Sequence, residues 1–173
     1  MEIGKIYFYT ATINKWLHVL GNDECKEIIL DSLKYLVKNN AVDIYSFVIM
    51  PNHIHLVWRI IEISNVKDVQ LSFMKFTAQK LKFWLEENDS ELLSQLKVEK
   101  KDRIYQIWQR NPLAVEIYNP LVCEQKMEYI HNNPCQGKWN LADEPVNYKY
   151  SSSSFYEKED SKYEFLSHYK VYV

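Results

Sequence analysis

Glycine is scarce in this 173-residue chain, with three residues in all, at positions 4, 21 and 137. So Gly-poor a sequence offers few tight left-handed turns and holds no Gly-rich phosphate loop, which excludes both common nucleotide-binding motifs. Cysteine is equally thin. Cys25, Cys123 and Cys135 are an odd number with no Cys-x-x-Cys pair, so neither a disulfide framework nor a zinc ribbon is expected, only free and partly buried thiols. Charge of one sign is missing too. With 21 Lys and Arg against 23 Asp and Glu the formal charge is −2, and no global basic excess advertises nucleic-acid binding. A local basic groove stays open, because steering follows the distribution of charge rather than its sum. No apolar run approaches the roughly 20 residues that span a bilayer. The opening Met1-Glu2-Ile3-Gly4-Lys5 enters a strand-like run without the pattern of a signal peptide. The expectation is one cytoplasmic domain over 1–173 with no membrane partner and no internal repeat.

What is present is a core. Hydrophobic residues make up 47% and charged ones 25%, and there are 13 tyrosines, a balance that folds rather than staying disordered. Ile6 to Ile13 reads as a first strand. Asn22 or Asp23 caps a helix to about Asn39, with Ile28, Ile29, Leu33, Leu36 and Val37 at helical spacing. Val42 to Met50 and His53 to Ile61 are strands joined by a Pro51-Asn52 turn. Ser64 or Asn65 opens a second helix to about Glu87, with Val69, Phe73, Phe76, Leu81 and Trp84 as its buried stripe. Ser90 to Arg103 is polar, a loop or short helix. Ile104 to Trp108 and Leu113 to Tyr118 are candidate strands. Pro120 sits in the first turn of a third helix that Pro134 ends, and the proline pushes Asn133 away from the α region. From about 140 the chain reads as an irregular tail. This order predicts an α+β, ferredoxin-like or RRM-like antiparallel sheet with helices packed on it. The third helix is extra to that core and free to lie against the sheet.

Two segments carry chemistry. In Met50-Pro51-Asn52-His53-Ile54-His55-Leu56 the period of two sends His53 and His55 to one face and Ile54 and Leu56 to the other. Two neutral imidazoles on one face are a pair of metal ligands or a packed pair at a strand start, and spacing alone does not separate these readings. Further on, Tyr129 and Asn133 stand four apart, on one face of the third helix, with Gln125 a turn before them. Tyr129 on its own is an ordinary amphipathic-helix residue, and Asn133 a common helix-terminal one.

The hydrophobic strand followed by Met-Pro-Asn-His-hydrophobe-His resembles the HUH motif of single-tyrosine transposases of the IS200-like kind. Glu128-Tyr129-Ile130-His131-Asn132-Asn133-Pro134 is similar to the nucleophile helix of the REP-associated tyrosine transposase branch. Trp108-Gln109 and Tyr150-Ser151-Ser152 resemble that branch as well, and the likeness runs from about Tyr7 to about Tyr156. It implies a metal-dependent single-strand DNA endonuclease and strand-transferase that cuts beside a hairpin or imperfect palindrome. His53, His55 and the side-chain oxygen of Asn133 would hold Mg²⁺ or Mn²⁺. Tyr129 would attack phosphorus and leave a 5′-phosphotyrosine and a free 3′-hydroxyl. A phenol of ordinary pKa, about 10, is a weak nucleophile and needs a nearby cation. Relatives include both monomers and dimers, so a homodimer stays open.

For DNA contacts the expected residues are Lys75, Lys80, Lys82, Trp108, Gln109 and Arg110. Trp108, Trp84 and Trp139 are candidates for stacking on unpaired bases, Trp84 being better suited to the core. His131, two residues past Tyr129, falls on another helix face and is expected to pack or hydrogen-bond. Two rival readings remain: a non-catalytic RRM-like nucleic-acid-binding regulator, and a nuclease that uses water at the His53/His55 metal.

Overall fold

The turn at Pro51-Asn52 doubles two long, buried runs back on each other, and the rest of the chain is arranged around that hairpin. The computed structural model describes residues 1–61, 68–158 and 161–171. In chain order the elements are β1 (Ile6–Thr12), α1 (Asp23–Lys38), β2 (Val42–Met50), β3 (His53–Ile60), α2 (Val69–Asn88), α3 (Ser90–Gln95), β4 (Lys97–Lys100), β5 (Arg103–Tyr105), β6 (Leu113–Ile117), α4 (Pro120–Asn132) and α5 (Ser153–Glu157), with short 3₁₀ turns between them. β2, β3, β1 and β6 form an antiparallel sheet in that order. This is the α+β, ferredoxin-like arrangement expected, with β6 as its fourth strand.

Both faces of the sheet are covered. α1 and α2 lie on one face over Ile54, Leu56 and Trp58 of β3 and Ile44, Phe47 and Ile49 of β2. α4 covers the other face over Phe8, Val48, Met50 and Val57. A two-sided core explains why β2 and β3 read as almost unbroken apolar runs rather than alternating ones. An extra residue in β2 at Ile44/Ser46 breaks its register against β3. This bulge puts Tyr45 in the α4-side core and turns Ser46 toward α4.

Several boundaries follow local chemistry. Asn22 caps α1 by accepting from the Glu24 N–H, and Asn119 caps α4 ahead of Pro120 by accepting from Leu121. The expected start of α2 at Ser64 or Asn65 lies outside the described residues. The helix itself runs from Val69, with the Asp68 carboxylate accepting from the Leu71 N–H at 2.9 Å.

The buried stripe of α2 is Val69, Phe73, Thr77, Leu81 and Leu85. Phe76, expected inside, is exposed, and Trp84 is only partly buried. The helix buries an unbroken i+4 ridge, and the hydroxyl of Thr77 is accommodated there. It donates to the Phe73 carbonyl at 2.7 Å and accepts from the Trp108 indole at 3.0 Å.

Residues 103–108 do not form a strand of the main sheet. β5 pairs instead with β4 in a separate ribbon, and Trp108 makes a single bridge with Ile13. Nor is Asn133 driven out of the α region. It keeps φ −53° and ψ −43° while the chain tightens into a 3₁₀ turn through Pro134, its N–H reaching back to the Ile130 carbonyl. The tail from 140 is not loose either. Ser151 bridges Val48 and Leu166 bridges Ile44, pairing the outer edge of β2.

Candidate active site

His53 and His55 lie on the α4 face of the sheet at the turn end of the central hairpin. Their registers are Thr12↔His53 and Thr10↔His55 on β1, and Met50↔His53 and Val48↔His55 on β2. Their ring centroids are 4.7 Å apart. Buried between two strands and under a helix, both imidazoles lose hydration that the cation needs. His53 is pulled down to about 4 by burial, which outweighs the favourable Asn133 oxygen beside it. His55 is pulled down to about 3 by burial, then by His53 and the positive Lys126. Both rings are therefore neutral at neutral pH and carry one N–H each.

For His53, hydrogen bonds decide which nitrogen holds that proton. The buried Asn52 carboxamide donates through Nδ2 to the Trp16 carbonyl at 3.1 Å, which leaves its Oδ1 to accept from His53 Nδ1 at 2.7 Å. The His53 Nε2 lone pair then faces the Oδ1 of Asn133 at 3.3 Å, two acceptors converging without a proton between them. His55 Nδ1 bonds the Thr10 hydroxyl at 2.7 Å. Its Nε2 is buried and has no hydrogen-bond partner among the described residues. With the Thr10 hydroxyl accepting from Nδ1, His55 Nε2 would also present a lone pair, and together with His53 Nε2 and the Asn133 oxygen it would make a donor set that suits a divalent cation, with Asn52 and Thr10 orienting the rings from behind. Among the described residues no group of three His, Cys, Asp or Glu side chains does the same. Because all three donors here are neutral, the protein leaves the charge of such a cation uncompensated, and anionic oxygens such as those of a phosphodiester would complete it.

Tyr129 stands over this pair. Its ring centroid is 5.2 Å from His55 and 6.0 Å from Phe8, and the phenol is about half exposed. Phe8 in turn stacks on His55 at 5.3 Å, and the Lys126 ammonium lies 4.8 Å over the Phe8 ring. The tyrosine and the histidines of this cluster lie on one chain.

α4 is held in place by the next residue but one. His131 Nε2 lies 2.9 Å from Ser152 Oγ and 3.2 Å from Ser46 Oγ, and Ser152 also accepts from the Phe47 N–H. The Tyr-Ile-His and Tyr-Ser-Ser segments thus meet, and His131 bonds as expected rather than facing the cluster. Gln125 does not line the cleft.

The cleft has a volume of about 380 Å³ and is lined by Thr10, Thr12, Trp16, His53, His55, Tyr129, Asn133, Gln136, Gly137 and Trp139. Asn133 and Tyr129 come together here, as the four-residue spacing implies. Trp16 escaped sequence reasoning. It follows Lys15 in a turn where both residues have φ +58°, a left-handed conformation that costs a non-glycine residue on the order of 1–3 kcal/mol. The usual warning residues for such a turn, Gly or an Asn-Gly pair, are absent. Asn52 was visible only as a turn residue, since its orienting role depends on a contact 36 positions away.

The expected DNA contacts divide. Lys75, Lys82, Gln109 and Arg110 line a groove of about 320 Å³ with Arg103 and Tyr105. Lys82 is partly offset by Glu86 at 2.8 Å. Lys80 lies off this groove, its ammonium 5.6 Å from the Phe76 ring. Trp108 is a correction. Only 5% exposed, with its N–H given to Thr77, it forms the floor of the groove as a packing residue and presents no face for a base. Gln109 donates its backbone N–H to the Thr12 carbonyl at 2.7 Å, and Thr12 lines the cleft.

Cys25 and Cys123 are buried and Cys135 is partly so, all three as free thiols. Among the described residues no helix is long and apolar enough to cross a membrane.

No family model matches the chain, and no curated sequence matches it. Among solved structures it is similar to a REP-associated tyrosine transposase bound to a REP hairpin. The TM-score is 0.61 at 16% identity, over 96% of this chain and 84% of that one. At that identity the likeness shows a shared fold.

Proposed function

We propose that this chain is a single-strand DNA endonuclease and strand-transferase of the tyrosine transposase kind, with Tyr129 as its nucleophile. One observation carries the reading: a half-exposed phenol, two neutral imidazoles and the Asn133 oxygen converge on one open cleft. A regulator that only binds nucleic acid has no use for an orphaned, buried His55 Nε2. The fold shared with a hairpin-bound transposase supports the same reading.

His53, His55 and Asn133 would hold Mg²⁺ or Mn²⁺. When bound, the ion supplies Lewis-acid polarisation of the scissile phosphodiester and offsets charge on its oxygens. The chain's own residues do the rest. The Tyr129 oxygen forms a bond to phosphorus while the bond to the 3′ oxygen breaks. The phenol proton is lost, and the departing 3′ oxygen gains one. One phosphoester replaces another, so a DNA 3′-hydroxyl can later displace the tyrosine and reseal a strand without an external energy source. The groove lined by Lys75, Lys82 and Arg110 would take the hairpin, with the single strand crossing Thr12 into the cleft. Tyr129 adjoins its own chain's His55, an arrangement compatible with reaction inside one protomer.

The test uses labelled single-stranded hairpins from DNA flanking the gene, incubated with Mn²⁺ or Mg²⁺ and run on a denaturing gel. A metal-dependent protein–DNA adduct, absent in Tyr129→Phe, is the expected result, with hairpin binding retained by that variant. Cleavage without an adduct would replace the tyrosine with water as the nucleophile. Adducts persisting in Tyr129→Phe would assign the chemistry to another residue.

A further inference from the structure

The Trp16 turn has no evident value for folding. Lys15 and Trp16 occupy consecutive left-handed positions, yet the side chain so presented is 59% exposed. The turn is nevertheless well secured. The Trp16 N–H donates to Ile13 at 3.0 Å, its carbonyl accepts from Asn52 at 3.1 Å, and Lys15 Nζ donates to the Gln95 carbonyl at 2.6 Å. A chain that fixes strained backbone in order to display an indole toward solvent is holding a surface ready. That indole stands at the rim of the cleft, 6.5 Å from the His53 ring and inclined 68° to it. A second indole, Trp139, stands 6.0 Å from the same imidazole, inclined 53° and braced by His18 at 5.4 Å. It follows Gly137, whose φ of +61° turns the chain back after α4, and the Leu141 N–H ties this loop to the Pro134 carbonyl. Neither indole lies flat on His53. Both rise from it as walls of the cleft that holds Tyr129.

We propose that Trp16 and Trp139 form a stacking subsite for an unpaired nucleobase, the one adjoining the phosphate presented to Tyr129. Every base has a π-face, so such a subsite takes single-stranded DNA with little regard to sequence. A duplex cannot use it, because its bases are already stacked. Cationic Lys138, 5.4 Å over the Trp139 ring, and Lys126 near Phe8 suit the accompanying backbone. The subsite selects for unpaired DNA at the point of cutting, whereas the groove beyond Thr12 would deal with the folded part. The inference rests on the transesterase reading for which nucleotide is bound, but its test does not depend on cleavage.

Binding of an oligothymidylate of about 12 nucleotides, and of an abasic strand of the same length, is measured by fluorescence anisotropy without metal. Protein carrying Tyr129→Phe is used so that nothing is cut. Stacking on an indole is expected to favour the base-bearing strand about 5- to 150-fold per occupied base. Trp16→Ala and Trp139→Ala should each lower affinity for oligothymidylate by a factor in that range and leave the abasic strand unaffected. Trp16→Phe should keep most of the affinity. The subsite is overturned if Trp16→Ala weakens both strands equally, or neither. Circular dichroism shows whether each variant is folded, and Trp16→Phe decides the matter should Trp16→Ala misfold, because loss of base preference in a folded Phe variant would equally refute stacking. A base-selective loss in a protein whose wild type forms no adduct leaves the subsite standing and removes the transesterase. Adducts with no base-selective loss do the reverse.

Discussion

Removing the Asn52 side chain tests the electrostatic core of the site without touching a proposed ligand. Asn52 is 1% exposed and makes two buried hydrogen bonds, accepting from His53 Nδ1 at 2.7 Å and donating to the Trp16 carbonyl at 3.1 Å. In Asn52→Ala both bonds vanish, and an imidazole N–H and a carbonyl lose their partners. At about 1 kcal/mol net per bond, more where the remaining group stays dry, the expected loss of stability is about 2–4 kcal/mol. That is tolerable for a domain with about 5–15 kcal/mol to lose. The second effect is chemical. Without Oδ1 to hold the proton on Nδ1, the tautomer of His53 is no longer set, and Mn²⁺ affinity should drop about 10- to 100-fold. Asn52→Asp separates the two effects. It keeps an acceptor facing Nδ1 and strengthens it, but it sets a carboxylate oxygen against the Trp16 carbonyl. Stability should fall as in the alanine variant, while Mn²⁺ affinity stays at or above the starting value. Urea denaturation reads the first quantity, and Mn²⁺ titration by electron paramagnetic resonance on DNA-bound Tyr129→Phe protein reads the second. If Asn52→Ala loses stability but binds Mn²⁺ unchanged, the tautomer is not set by this contact and the orientation argument fails.

Acid should unfold the protein through its histidines. Burial holds His53, His55 and His131 at about 4, 3 and 4 in the fold, against about 6.5 when unfolded. Between pH 6.5 and about 4 the unfolded chain binds protons that the folded chain refuses, so stability rises with pH across this window and is lost on acidification. The slope is about 1.4 kcal/mol per pH unit for each histidine. Denaturation midpoints that stay flat from pH 6.5 to 4.5 would contradict it, and His131→Asn should remove one proton from the slope. Exposed Asp23, Asp102 and Asp143, held low mainly by Lys26, Arg103 and Asn147, act chiefly below this range. Thr77→Val keeps the shape of the α2 ridge but strands the Trp108 N–H in the core, for an expected loss of about 1–3 kcal/mol in urea. Hairpin affinity should not change, and a variant as stable as its parent would mean that the indole finds another acceptor.

What could be read from the sequence followed the range of the interaction that fixes it. β2 as a short apolar run, the Pro51-Asn52 turn and the common face of His53 and His55, two residues apart on one strand, are all set within a few residues, and each was found where expected. The Tyr129–Asn133 pairing is likewise local to one helix. That α4 would cover the face bearing the histidines was not local, but it was inferable. A ferredoxin-like sheet carries its helices on one side, α1 and α2 fill that side, and the other remains for any further helix. Several misreadings turn on long-range partners. Thr77 looks polar until Trp108 is placed against it, 31 residues on, and Trp108 looks like a surface aromatic until Thr77 is placed against it. Phe76 suits a buried stripe by composition, yet the ridge that meets the sheet passes through 77 instead.

Trp16 is the deeper case. Local preference is the usual guide to structure, and here it is overruled at two adjacent residues by tertiary hydrogen bonds. Positions where a chain departs from its own local preferences tend to be those held for a partner that is not part of the chain. By that criterion the rim of this cleft is where the proposed unpaired base would act. The histidines could be placed by rule, whereas the exposed Trp16 is accounted for by the stacking subsite proposed above.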